Sequence, residues 1–331
     1  MPLPRTLSTA LGVSLATIYI VYFWHERSKK RRLISSKADL KGNFYAGGTD
    51  VVRLYAPQGR RILITGTTSG LGKHIAQLLT GCHLICGVRR PSEMQSVIAE
   101  IQASGGTAVA LELDLASLSS VGSFAKRVHE YLQGEPIDVI IHNAGLFCWA
   151  GSSEDGLQAV WQVNAMAPAL LTELLLPCLA KDGRVVNVSS QMYELLKLNP
   201  LRGEWWQPPH PQRGGSSYDY AVSKACQVAH AIALNDTTFR GTGRRAFATE
   251  PGLVPTRIGR HLPQWMLQLE YTVLGWFFIT RTIDQGTSST LYCALADDVE
   301  DGVFFANCRP IPPARLVQRN ASQVLSTFSR C

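Results

Sequence analysis

The sequence predicts a doubly wound α/β domain, a parallel sheet covered by helices on both faces, preceded by an apolar segment of membrane length. Three observations carry this expectation. Short apolar runs alternate along the chain with stretches of helical spacing, the pattern of successive βαβ units. The first of those runs ends in a glycine-rich turn, Thr65–Gly72. Of the 331 residues, 46% are hydrophobic and 17% charged, which is ample apolar material for a large core.

The chain begins with a candidate anchor. From Leu7 to Trp24 it is uncharged and mostly apolar. At roughly 1.5 Å per residue, a helix of that length just spans a bilayer core. Tyr22, Phe23 and Trp24 fall where an interfacial aromatic belt belongs, and the basic cluster Arg27–Arg32 follows at once. Positive charge on that side places the downstream domain in the cytosol. The predicted organisation is an anchor helix over 1–24, a basic juxtamembrane segment and linker over 25–59, a folded domain over 60–315 and a tail over 316–331. A single-pass endoplasmic reticulum membrane protein is expected. A mitochondrial membrane is the alternative, because residues 1–25 carry Arg5, several Ser and Thr, and no acid.

Charge and cysteine usage exclude other classes. Residues 1–41 hold eight basic residues against two acids, so nearly all of the net charge of +7 sits beside the apolar segment. A nucleic-acid binder would spread a basic face over its folded domain, so no nucleic-acid partner is expected. The eight cysteines form no CxxC pair and no zinc-like cluster. A reducing compartment and no metal site follow from that pattern.

Taken in order, Arg61–Thr65 is the first strand and helical spacing follows to Leu79, closed by Gly81. His83–Val88 is the second strand, and Pro91 opens the next helix. Ala108–Leu113 is the third, with a helix from Ser117 to Leu132; Ile137–Ile141, Arg184–Val188 and Arg245–Ala248 complete the set.

Two motifs suggest chemistry. Thr65-Gly66-Thr67-Thr68-Ser69-Gly70-Leu71-Gly72 places glycines at a strand-to-helix turn, where the backbone can approach a pyrophosphate facing the helix N-terminus. In Tyr220-Ala221-Val222-Ser223-Lys224, residues four apart share a helix face, so phenol and ammonium can address one site. A nearby cation favours the phenolate and suits the tyrosine to proton transfer.

Together and in this order, these motifs resemble the short-chain dehydrogenase/reductase family, from about Arg60 to Pro313. Thr65–Gly72 is similar to the family's TGxxxGxG loop, which implies cofactor contacts at Gly66, Thr68, Ser69, Gly70 and Leu71. Asp114, with Leu115 beside it, matches the acid on the adenine side, and Asn143-Ala144-Gly145 matches the NAG motif. Asn164, Ser190, Tyr220 and Lys224 match the catalytic tetrad. Pro251, Gly252 and Thr256 match the segment that meets the nicotinamide amide. The run Thr282–Ser289, followed by Gly302–Cys308, looks like the tail of retinol-dehydrogenase-like members.

The resemblance implies a Rossmann fold and an NADP(H)-dependent oxidoreductase interconverting a lipophilic alcohol and its aldehyde or ketone. A retinoid, steroid, lipid or specialised metabolite would fit. NADP(H) is expected over NAD(H) because Cys86-Gly87-Val88-Arg89-Arg90 ends in cations, with Arg89 at the position that meets a 2′-phosphate. By the same resemblance Tyr220 is the acid/base, Ser190 holds the substrate oxygen, Lys224 lowers the Tyr220 pKa and binds the nicotinamide ribose, and Asn164 seats a relay water; Tyr220 and Lys224 are thus also expected among the cofactor contacts. The family also implies a homodimer through the Tyr220 helix, and a substrate lid over Trp265–Ile279. Leu195, Leu196, Trp205 and Trp206 fall where relatives place part of the substrate pocket. An epimerase or dehydratase on the same fold, or a catalytically silent tethered binding protein, are the alternatives.

Overall fold

The fold is described from a computed structural model, over residues 34–147, 151–198, 203–210, 216–255 and 280–329. The anchor, the lid segment and Thr256 lie outside the described residues.

Eight strands form one sheet in the order β3-β2-β1-β4-β5-β6-β7-β8. They are β1 (Arg61–Thr65), β2 (His83–Val88), β3 (Thr107–Glu112), β4 (Ile137–His142), β5 (Leu179–Val188), β6 (Arg245–Thr249), β7 (Phe304–Ala306) and β8 (Arg309–Ile311). All pair in parallel except β8, which runs antiparallel to β7. Because strand side chains alternate in direction, β1 serves two cores at once. Ile62 and Ile64 join Val139, Ile141, Val186 and Phe247 on one face, while Leu63 joins Ile85, Ile140 and Val185 on the other. Burial on both faces is why these strands read as continuous apolar runs.

Helices α1 (Lys37–Leu40) and α2 (Gly48–Tyr55) precede the sheet. Between strands lie α3 (Gly70–Leu78), α4 (Gln95–Ala103) and α5 (Leu118–Leu132). After β4 comes a helical run of α6 (Ala159–Trp161), a π-turn over Gln162–Met166 and α7 (Ala167–Leu175). That run, Ala159–Cys178, is long and apolar enough to cross a membrane, but 78% of its apolar window is buried within the domain, so it is a core helix. Helices α8 (Ser217–Asp236), α9 (Ile283–Leu295), α10 (Arg315–Arg319) and α11 (Ala321–Phe328) complete the fold.

Two stretches differ from the sequence expectation. The segment read as a linker holds α1 and α2, and Leu40, Phe44, Ala46 and Val51 are buried there. Lys37 pairs with Asp297 at 2.7 Å, and Tyr55 donates to Asp298, fixing the segment to the loop after α9. The segment read as a tail carries α10 and α11, which pack on α8 through buried Val317, Val324 and Phe328. As a result α8 is buried without interruption from Asp219 to Leu234. The helix expected to meet a second copy therefore presents no exposed residue along that length.

A truncation series tests the first difference. Burying an aliphatic or aromatic side chain contributes roughly 1.5–3 kcal/mol. Removing residues 1–33 is expected to leave thermal unfolding of the domain unchanged. Removing 1–59 is expected to lower the midpoint by about 10 °C or more, or to prevent soluble expression. Equal midpoints for the two proteins would contradict the packing described for α1 and α2.

Candidate active site

The sheet order reverses between β1 and β4, and ligands of open α/β sheets bind outside the strand carboxyl ends at such a point. A cleft of about 220 Å³ lies there. Its walls come from the turns after β1, β2, β3 and β4. All the resemblance-derived residues on those turns line it: Gly66, Thr68, Ser69, Gly70, Leu71, Arg89, Asp114, Leu115, Asn143, Ala144 and Gly145.

The glycines are required by close approach. Gly66 has φ +75°, and a Cβ there would sit 2.9 Å from the Cα of Ala144. At Gly72 a Cβ would lie 2.3 Å from both Asn143 Nδ2 and the Gly66 carbonyl oxygen. The two turns are also laced by hydrogen bonds. Asn143 Nδ2 donates to the carbonyls of Thr65 (3.0 Å) and Gly66 (3.1 Å), while Thr65 Oγ1 accepts the N–H groups of Asn143 and Ala144. Asn143 thus acts here as a brace of the loop. Ser69 caps α3 without a side-chain bond to the helix, so the helix N-terminus faces the cleft. Glycine-lined backbone, an unblocked helix start and a terminal cation fit a dinucleotide pyrophosphate and its ribose. Arg90 pairs with Glu93 at 2.6 Å, whereas no ion pair is found for Arg89 among the described residues. On the third turn, Asp114 Oδ1 accepts the Ala116 N–H at 2.9 Å.

The second cluster lies beside the cleft, next to Gly145 and Leu146 of its lining. Ser216 and Asp219 form a capping box that starts α8 at Ser217, three residues before Tyr220. Tyr220 and Lys224 share one face, with the Lys224 ammonium 5.4 Å from the phenol ring centroid. Phe147 packs edge-on against Tyr220 at 4.8 Å between centroids. Lys224 Nζ donates to the Val188 carbonyl (2.8 Å) and to Gln227 Oε1 (3.0 Å). Ser189 Oγ donates back to the Lys224 carbonyl at 2.9 Å, so the end of β5 and α8 clasp each other. Burial drives the Lys224 pKa down to about 7, opposed by the carboxylate of Glu250.

Asn164 lies in the π-turn, a feature frequent at functional sites. Its Oδ1 accepts the Leu146 N–H at 2.7 Å, and its Nδ2 donates to the Leu146 carbonyl and to Ser223 Oγ. A Cβ on Gly145 would lie 3.3 Å from Asn164 Oδ1 and 3.7 Å from Lys224 Nζ. The cleft lining at Gly145 therefore comes close to Asn164 and Lys224. Ser190 Oγ accepts the Met192 N–H at 3.2 Å, which leaves its proton free to donate.

Other expected positions fall elsewhere. Pro251 and Gly252 follow β6 and do not line the cleft; Gly252, at φ +78°, gives its N–H to Glu250 Oε1 at 2.8 Å. Trp205 and Trp206 are buried and stacked edge-on, in the same apolar cluster as Tyr193, Leu196 and α8. Several residues went unseen in the sequence: Gly87, Val88, Leu146 and Val163 in the cleft, Phe147 against Tyr220, and Gln227 and Glu250 acting on Lys224. The signal for Glu250 was available, since a lone acid separates an apolar strand from Pro251-Gly252.

A parallel sheet with a glycine-lined cleft at its switch point defines the class as a dinucleotide-binding enzyme. Comparison with known proteins gives the family: residues 60–195 match the short chain dehydrogenase model. The chain is 34% identical to dehydrogenase/reductase SDR family member 13 of Bos taurus over 281 residues, 81% of this chain and 71% of that protein. It is likewise 34% identical to retinol dehydrogenase 14 of Mus musculus over 274 residues, 76% of this chain and 78% of that one. Among solved structures, an NADPH-bound carbonyl reductase from chicken fatty liver superposes with a TM-score of 0.57 at 21% identity, covering 77% of this chain and 99% of that one. The angucycline C-6 ketoreductase LanV with bound NADP gives 0.60 at 19% identity, over 76% and 94%. These two establish the fold alone. The chain belongs to the short-chain dehydrogenase/reductase family. It is thus an oxidoreductase acting on CH–OH groups with a nicotinamide cofactor.

Proposed function

We propose that this protein is an NADP(H)-dependent reductase of lipophilic aldehydes or ketones, with Tyr220 as the acid/base and an N-terminal segment holding it to the endoplasmic reticulum membrane. The observation that carries the reading is the junction of the two clusters: Gly145 and Leu146 line the cleft, Gly145 lies beside Asn164 and Lys224, and Leu146 is hydrogen-bonded to Asn164. A nicotinamide bound there supplies the hydride. The remaining chemistry belongs to the chain. Tyr220 gives its proton to the carbonyl oxygen, and Ser190 Oγ–H binds that same oxygen as negative charge develops on it. The Lys224 ammonium favours the phenolate left behind. Because the Asn164 side chain is occupied by Leu146 and Ser223, a relay water between Lys224 and solvent would sit against the unwound backbone of the π-turn.

The kinship with retinol dehydrogenase 14 of Mus musculus supports a lipophilic substrate, and the apolar stretch Leu7–Trp24 supports tethering near a membrane where such substrates partition. The Arg89 guanidinium supports NADP(H), since it stands at the cleft rim without an ion pair among the described residues while Arg90 is taken by Glu93. A charge-assisted bond to a phosphate is worth about 1.5–3 kcal/mol, or roughly 10- to 100-fold.

Steady-state assays of the full-length chain with NADPH and NADH, over a panel of lipophilic aldehydes and ketones, test the reading. The wild type should prefer NADPH. Arg89→Ala should lower kcat/KM for NADPH by roughly 10- to 100-fold and leave that for NADH nearly unchanged. Equal losses with both cofactors would remove Arg89 from the selection.

A further inference from the structure

We propose that Glu250 is a positioning residue for this site: its carboxylate fastens the turn carrying Ser190 to the turn carrying Gly252 and supplies the anion facing Lys224. The inference rests on the reductase reading above and extends it to a residue outside the tetrad.

Glu250 follows β6 and is only 3% exposed. Its backbone is fixed first, because its N–H bonds the Phe305 carbonyl at 2.8 Å. From that root one carboxylate oxygen accepts the N–H of Gly252 at 2.8 Å, and the other accepts the N–H of Gln191, the residue directly after Ser190. Both oxygens thus receive N–H donors, an arrangement suited to the ionised form. A buried carboxylate persists only with donors and cations around it. Burial pushes the Glu250 pKa up, and the positive charges of Arg281 and Lys224 oppose that rise. Arg281 is itself held by Asn307 Oδ1 at 2.5 Å and lies 4.8 Å over the Phe44 ring, so the segment before the sheet backs this group.

The charged and titratable groups around the pair come from each neighbouring element. Lys224 faces Glu250 from α8, Arg281 from the approach to α9, and Tyr193 from the 3₁₀ turn Gln191–Leu198. Lys224 in turn faces Glu250 and, on its own helix, Tyr220. Glu250 favours the Lys224 ammonium, so removing its charge moves the proton loss of Lys224 to lower pH.

The test combines hydrogen–deuterium exchange with pH–rate profiles on the full-length chain. In Glu250→Gln the side-chain amide meets one of the two N–H donors with its own NH₂, so one clasp is lost together with the charge. The Gln191 and Gly252 amides should then exchange about tenfold faster or more. Reductive kcat should fall roughly tenfold or more at near-constant KM for NADPH, and the alkaline limb should move to lower pH by about half a unit or more. Glu250→Asp, which keeps charge and shortens reach, should loosen the same amides while holding the limb near its wild-type position. Unchanged exchange in Glu250→Gln overturns the clasp. An unchanged kcat and limb, beside a Tyr220→Phe slowed by roughly 10²-fold or more, overturns the role at the site and leaves the reductase reading standing. A wild type without carbonyl turnover sinks that reading instead, and exchange alone then judges the clasp. Should Glu250→Gln not fold, wild-type exchange decides: Gln191 or Gly252 amides exchanging like an open chain overturn the proposal.

Discussion

Tyr220→Phe is expected to lower turnover by roughly 10²–10⁴-fold while leaving NADPH affinity and thermal stability close to wild type. The substitution removes one hydroxyl and keeps the ring, which is 94% buried in place against Phe147 and above Lys224. The capping box at Ser216 and Asp219 starts α8 without Tyr220, so the helix does not depend on the phenol. Nothing on the cleft walls changes, so the cofactor should bind as before. Stopped kinetics beside a fluorescence titration with NADPH separate the two effects. Turnover within tenfold of wild type would remove Tyr220 from the proton transfer.

The second large effect is expected at Gly72. A methyl group there would be driven to 2.3 Å from a backbone oxygen, that of Gly66, as well as from the Asn143 amide. The oxygen cannot retreat, because Gly66 is itself bonded to Gly87 and its turn sits against Ala144. Gly72→Ala therefore breaks the Asn143 lacing and reshapes the turn that faces the pyrophosphate. The NADPH dissociation constant should rise about 100-fold or more, since several backbone contacts fail together. Gly122, with nothing within 4 Å of its added Cβ, is the control. Alanine at that helical site should stabilise by roughly 0.5–1 kcal/mol and leave cofactor binding unchanged. Retained affinity in Gly72→Ala would contradict the loop geometry.

The parts of this molecule that the sequence disclosed share a physical cause. β1 and β2 were legible to the residue because both faces are buried, which forces unbroken apolar runs, and because glycines punctuate their ends. The cleft was legible because its walls are short turns whose residues recur in a fixed order along the chain. What escaped depends on partners distant in sequence. β7 and β8 are three residues each and form an edge hairpin, too short for periodicity to register. Helices α1 and α2 read as linker because Gly47, Gly48 and Pro57 punctuate the stretch, and contacts with α3, α9 and the loop after α9 give it a buried face. By the resemblance Trp205 and Trp206 fall where relatives place part of the substrate pocket, and in the structure both are buried in one apolar cluster with residues of α8. Ser190 has a hydroxyl neighbour in Ser189, and a bond that spacing does not reveal tells the two apart: Ser189 Oγ is committed to the Lys224 carbonyl.

The central claim is that a hydride passes from a cofactor in the cleft to a carbonyl held at Tyr220. The direct measurement uses NADPH carrying deuterium at C4 of the nicotinamide, the full-length chain, and mass spectrometry of the alcohol formed from each lipophilic carbonyl. The account predicts one deuterium per product molecule, one NADPH consumed per alcohol, and product formation roughly 10²–10⁴-fold slower with Tyr220→Phe. A product formed without deuterium, or turnover with only catalytic NADPH consumed, would contradict it and point to an epimerase or dehydratase cycle on the same fold.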